Sequence, residues 1–199
     1  KSVYALYVDR ENEVWLAQEN GPTRINYSTP VRILDSRHGL HGIIRTMVKT
    51  DEGFFAATFQ GLFQLGADGK FSIRNKINTG ANVSIPFGKS SLLLCAGEIG
   101  TVEIKGNKTL QINSDPYTLS MLVASEDSTV VIAGSVDKAY VFKKEGGFNW
   151  LTLITIDSIG DEINTLAQVK NTYWLSTTNK GKIFSLEFTD KTYLKYKLT

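Results

Sequence analysis

The chain repeats itself about every 40 residues, and that period restricts the available folds more than any single residue does. Five segments align on one apolar position each: VWLAQEN at Trp15, FFAATFQG at Phe55, LLCAGEIG at Leu94, VVIAGSVD at Val131 and YWLSTTNKG at Trp174. From Trp15 to Phe55 is 40 residues, and the later steps are 39, 37 and 43. A turn residue follows each anchor at a nearly constant offset: Gly21, Gly61, Gly100, Asp137 and Gly181. A short apolar stretch comes next, such as Leu62-Phe63 or Ile183-Phe184.

Within each unit the pattern reads as four short strands. In the first, the segments are Val3 to Val8, Val14 to Gln18, Thr23 to Asn26 and Val31 to Leu34. In the second they are Ile43 to Val48, Phe54 to Thr58, Leu62 to Leu65 and Lys70 to Ile73, with Gly66-Ala67-Asp68-Gly69 as a turn. Asp-Gly pairs between β-branched or aromatic runs mark hairpins, because such turns need positive φ. Helical spacing is nowhere sustained. The expectation is an all-β chain.

Four-stranded units of this length, returning in phase, suit a β-propeller better than a sandwich or a stacked solenoid. The 199 residues divide at about 1–42, 43–81, 82–116, 117–161 and 162–199 into five blades of one propeller domain or fragment. Either the five blades close a ring, or they form an open arc of a larger one, whose uncovered apolar faces would favour a homodimer through blade edges or faces. The anchors Trp15, Phe55, Leu94, Val131 and Trp174 are expected in each second strand, buried between blades. Pro86 weakens the third unit, since it removes a backbone donor from the strand Val83 to Phe87.

The 22 basic and 20 acidic residues nearly cancel, so no global field draws the chain to nucleic acid. Cys95 is the only cysteine, so it forms no internal disulfide and is expected to be a small buried hydrophobe. No stretch approaches the ~18 apolar residues that span a bilayer, so this segment inserts in no membrane as a helix. Lys1-Ser2-Val3 opens directly into a strand pattern, as expected of a section of a longer protein.

With these repeats in view, VYALYVDRENEVWLA followed by NGPTRINYSTP, and IIRTMVKTDEGFFAATFQGLFQL, resemble the two-component-regulator propeller repeat. The resemblance is good in units one, two and five and faint in three and four, where Leu94 and Val131 replace the Trp. The segment from Val31 to Gly42 is similar to the family's Asp-Gly-Leu connector between blades. The resemblance implies the periplasmic, extracytoplasmic sensor part of a membrane-bound bacterial regulator. In the family this head precedes a Tyr-rich β-sandwich, a membrane helix and an output domain such as a kinase.

Catalytic motifs are missing from the sequence: no nucleophile elbow, no His-Glu-x-x-His, no phosphate loop. His38 and His41 lie in a glycine-flanked connector with Asp35, Arg37 and Arg45 nearby, but two histidines and one acid are too few for a metal site. No cofactor is expected. The acidic pairs Asp51-Glu52, Glu126-Asp127 and Asp161-Glu162 read as solvated hairpin tips. The loops between second and third strands carry polar residues on one side of the units, including Gln18 and Gln60. Arg37, His38, His41, Arg45, Gln18 and Gln60 are therefore the candidate contacts for a small-molecule ligand, such as a glycan fragment. Three functions remain open: a non-enzymatic sensor module, a protein–protein scaffold, and a propeller lyase or hydrolase.

Overall fold

The structure is a computed structural model, which describes residues 3–10, 14–18, 21–25 and 33–199. The chain separates into two compact units, Lys1–Leu34 and Asp35–Thr199. The first holds a three-stranded antiparallel sheet, β1 (Val3–Val8), β2 (Val14–Gln18) and β3 (Gly21–Ile25), in that order. Asn26, Val31 and Arg32 lie outside the described residues, and Ile33 and Leu34 form no strand. The strand expected over Val31 to Leu34 is therefore not supported where it is described.

The second unit is a succession of four-stranded antiparallel blades. The second blade comprises β4 (Ile44–Thr50), β5 (Gly53–Thr58), β6 (Gly61–Leu65) and β7 (Phe71–Ile73). The third comprises β8 (Ala81–Phe87), β9 (Ser91–Ala96), β10 (Gly100–Lys105) and β11 (Lys108–Asn113). The fourth comprises β12 (Ser120–Val123), β13 (Val130–Gly134), β14 (Ala139–Gly146) and β15 (Asn149–Ile156). The fifth comprises β16 (Ile163–Val169), β17 (Thr172–Thr177), β18 (Ile183–Phe188) and β19 (Tyr196–Leu198). Two 3-10 turns, Ser36–His38 and Gly97–Ile99, are the helical segments among the described residues. The architecture is all-β and of the propeller type.

Strand alternation explains how the blades stack. On β9, Leu92, Leu94 and Ala96 pack with Phe55, Ala57 and Leu62 of the second blade. Their neighbours Leu93 and Cys95 point the other way, against Val131, Ala133 and Phe142 of the fourth. On β13, Val130 and Ile132 face Tyr173, Leu175 and Leu186 of the fifth. A strand buried on both faces has no polar side to display, which is why Leu92 to Ala96 and Val130 to Gly134 read as unbroken apolar runs. Pro86 sits on β8, at the edge of its sheet, where one ladder is missing anyway.

Phe55, Leu94 and Val131 are each buried in a second strand, but not on one face: Phe55 looks toward the following blade, Leu94 and Val131 toward the preceding one. Trp15 on β2 is half-buried, and its indole N–H donates to Asp9 Oδ2 at 2.9 Å. Trp174 requires a correction. It is 42% exposed, because alternation on β17 turns Tyr173 and Leu175, not Trp174, into the core with the fourth blade.

Candidate functional site

Four first strands share an irregularity near their start. The register of β4 on β5 shifts between Ile44 and Thr46, at Arg45. That of β8 on β9 shifts between Ala81 and Val83, at Asn82, and that of β16 on β17 between Ile163 and Thr165, at Asn164. In the first unit β1 shifts likewise between Val3 and Ala5, at Tyr4. A bulge leaves one residue out of the ladder and re-aims its side chain, and bulges recur next to binding sites for that reason.

In the second unit these positions converge. Arg45, Thr46, Asn82, Ser120, Asn164 and Thr165, with aliphatic neighbours such as Ile44 and Met121, line an open cavity of about 440 Å³. Several of its polar groups are already oriented. Thr46 Oγ1 and Ser84 Oγ are hydrogen-bonded at 2.5 Å. Asn82 Nδ2 donates to the carbonyl of Pro116 at 2.9 Å, and Ser120 Oγ to that of Ile163 at 2.7 Å. Asn164 Nδ2 donates to Thr178 Oγ1. The amide oxygens of Asn82 and Asn164 thus keep their acceptor capacity. Among the described residues, Arg45 is the one charged side chain in this lining, and its guanidinium lies 5.2 Å from the Phe59 ring centroid.

The other sequence-derived candidates behave differently. Asp35 caps the 3-10 turn: its carboxylate accepts from the Arg37 backbone N–H at 3.0 Å and from Arg37 Nη2 at 2.7 Å. His38 Nδ1 lies 3.2 Å from Asp35 Oδ1. The Arg37 guanidinium holds the Asp35 carboxyl well below the usual carboxylate range. Arg37 and His38 are thus engaged within their own turn. His41 stacks obliquely on Phe63, with ring centroids 6.3 Å apart. The connector continues onto the β5–β6 turn, where Phe59 N–H donates to the Ile43 carbonyl at 3.1 Å and Gly42 packs beside Gln60. The structure therefore brings Arg45 and Gln60 to one hairpin tip and keeps Arg37, His38 and His41 in the connector. Gln18 belongs to the first unit, where its Oε1 accepts from Thr23 Oγ1 at 3.0 Å.

Among the described residues, no group of three or more His, Cys, Asp or Glu is placed to hold a metal. The acidic pairs are solvated only in part: Asp51 and Glu126 are exposed, but at least one member of each pair is engaged. Glu52 accepts from the Gly106 N–H of the next blade at 2.7 and 2.8 Å, Glu126 accepts from Tyr173 Oη, and Asp161 accepts from the Lys180 N–H at 2.8 Å. Cys95 is fully buried, and burial raises its pKa.

Asn82, Ser120, Asn164 and Thr165 were not among the sequence candidates. Their signal is a polar residue after an apolar one at each first-strand start, in Ile44-Arg45-Thr46, Ala81-Asn82-Val83 and Ile163-Asn164-Thr165.

No protein-family model and no curated protein matches the chain. Solved structures do. The extracellular domain of a candidate hybrid two-component system from B. thetaiotaomicron aligns over 98% of this chain at 16% identity with a TM-score of 0.57. A second such domain from the same organism aligns over 96% at 15% identity, also at 0.57. A candidate 6-phosphogluconolactonase from Bacteroides uniformis aligns over 94% at 13% identity, at 0.62. The chain spans 29% of the length of each extracellular domain and 63% of the third protein. At these identities the likeness is one of fold, and it includes the kind of domain that the two-component-regulator propeller resemblance implies.

Proposed function

We propose that the chain is the ligand-binding section of an extracytoplasmic, periplasmic sensor propeller in a bacterial signal-transduction protein, and that it acts without catalysis. The observation that carries this reading is the cavity where bulges set Arg45, Asn82 and Asn164 around one opening. Its polar groups are amides, hydroxyls and one guanidinium, which suit a hydroxyl-rich small molecule such as a glycan fragment. Among the described residues the lining offers no carboxylate or imidazole to move a proton, which favours binding over the lactone chemistry named for one neighbour. The extracellular two-component domains among the neighbours support the sensor role and its location. No described helix is long and apolar enough to cross a membrane. Ligand occupancy would bias the packing of this section against its neighbours and so the output.

Calorimetry of the full chain against a panel of oligosaccharides tests this. We expect binding that the double variant Asn82→Ala/Asn164→Ala weakens at least tenfold. Silence across the panel from a folded sample overturns it.

A scaffold that docks protein, or a second copy, is favoured by one observation: Val169, Trp174 and Ile183 share one face of the fifth blade and are 58%, 42% and 67% exposed. Light scattering decides, since a clean monomer at high concentration removes the homodimer.

A further inference from the structure

Among the described residues that line the cavity of the second unit, one carries a charge. Arg45 lines it together with Thr46, Asn82, Ser120, Asn164 and Thr165, and those five are neutral. The ion pairs among the described residues do not include Arg45. A guanidinium with no carboxylate partner keeps its forked donors for something else.

Arg45 is also given a direction. It occupies the bulge between Ile44 and Thr46, which turns its side chain out of the ladder. Its guanidinium rests over Phe59 at 5.2 Å. Phe59 has an anchored backbone, since it lies in the two-residue turn between Thr58 and Gly61 and its N–H donates to Ile43, while the residue itself is 49% exposed. A preset planar donor loses less entropy on binding than a free one.

From these observations, and resting on the ligand-binding reading above, we propose that the cavity selects a sugar acid: a polyhydroxylated ligand bearing one carboxylate, which Arg45 grips while Asn82, Asn164 and Thr165 read its hydroxyls. A single guanidinium matches a single carboxylate in a two-pronged contact. A phosphate dianion calls for more positive charge than this lining supplies.

The test compares a glucuronate-terminated disaccharide with its glucose-terminated counterpart, titrated calorimetrically into the full chain at low and high salt. Charge-assisted hydrogen bonds of this kind are worth roughly a tenfold or greater preference for the acid. We expect that preference, we expect salt to shrink it, and we expect Arg45→Gln to abolish it while Arg45→Lys keeps part. Arg45 is exposed, so circular dichroism of Arg45→Gln should match the parent. Phe59→Leu, which removes only the stacking partner, should weaken the acid several-fold and leave the neutral sugar unchanged. Equal binding of both disaccharides, or an acid preference that survives Arg45→Gln, overturns the inference and leaves the binding reading standing, provided Asn82→Ala/Asn164→Ala abolishes both. Failure of both disaccharides to bind overturns the inference, and the wider oligosaccharide panel then judges the binding reading separately.

Discussion

The carboxylate of Glu103 and the ammonium of Lys144 stand 2.5 Å apart, and they belong to adjacent blades. Glu103, on β10, has no solvent exposure, and its second oxygen accepts from the Trp150 indole N–H at 2.8 Å. Lys144 sits among the rings of Phe87, Phe148 and Trp150, 5.2 to 5.7 Å from their centroids. Each charge is thus matched by a charge and by aromatic or N–H dipoles, and the pair fastens the third blade to the fourth. Removing one partner of a buried pair strands the other. Glu103→Leu is therefore expected to cost about 3–5 kcal/mol, and Glu103→Leu/Lys144→Met much less than Glu103→Leu and Lys144→Met together. Urea unfolding of the four proteins in a double-mutant cycle measures both.

The two neighbouring positions 174 and 175 should respond in opposite ways. Leu175 is fully buried against the fourth blade, so Leu175→Ala is expected to cost about 2–5 kcal/mol. Trp174 faces the other way and is 42% exposed, so Trp174→Ala is expected to cost under about 1 kcal/mol. Thermal melts of the two variants settle the facing of β17; comparable losses would contradict it.

Asp161 makes the fifth blade acid-sensitive. Burial pushes its carboxyl up, but the N–H groups of Lys180 and Glu162 and the Thr177 hydroxyl outweigh burial and hold it at about 2, against an ordinary 3.8. A depressed folded pKa means that the stability it contributes is complete above about pH 4 and is lost as pH falls from 3.8 through 2. Asp161→Asn keeps an acceptor but removes the titration. It should melt lower than the parent at pH 7, with the two melting temperatures converging as pH approaches 2. Parallel curves from pH 5 to pH 2 would exclude this role.

The blades were legible because turn chemistry is local: the Gly66 to Gly69 turn, with Gly69 at φ 77°, announces itself by residue type. The facing of the strands was not. Leu92 to Ala96 and Val130 to Gly134 are buried on both sides, so no polar alternation marks their phase, and Leu94 and Val131 align with Phe55 in sequence while facing the opposite way. At Trp174 size misled, since a large aromatic reads as core until the register shows its neighbours buried instead. In the site, Arg45 stood out beside the connector together with Asp35 and Arg37, whereas Asn82 and Asn164 were not singled out, because a bulge interrupts the period that would have grouped them. Glu52 looked solvated because its partner Gly106 is 54 residues away.

Gly39 fixes the connector that leads into Arg45, and it does so by lacking a side chain. It closes the 3-10 turn at φ 79°, and a Cβ there would lie 2.3 Å from the Phe71 carbonyl oxygen on β7. Gly147 is a natural control, since it has φ 52° with nothing within 4 Å of its Cβ position. Both alanine substitutions carry the left-handed strain of about 1 kcal/mol, but only Gly39→Ala adds a backbone clash. Gly39→Ala should therefore lose at least about 1 kcal/mol more than Gly147→Ala in chemical denaturation. It should also change the fluorescence of a reporter placed at position 41, because the connector must lift from the second blade to relieve the contact. Equal losses for the two variants would show that the connector does not rest on β7.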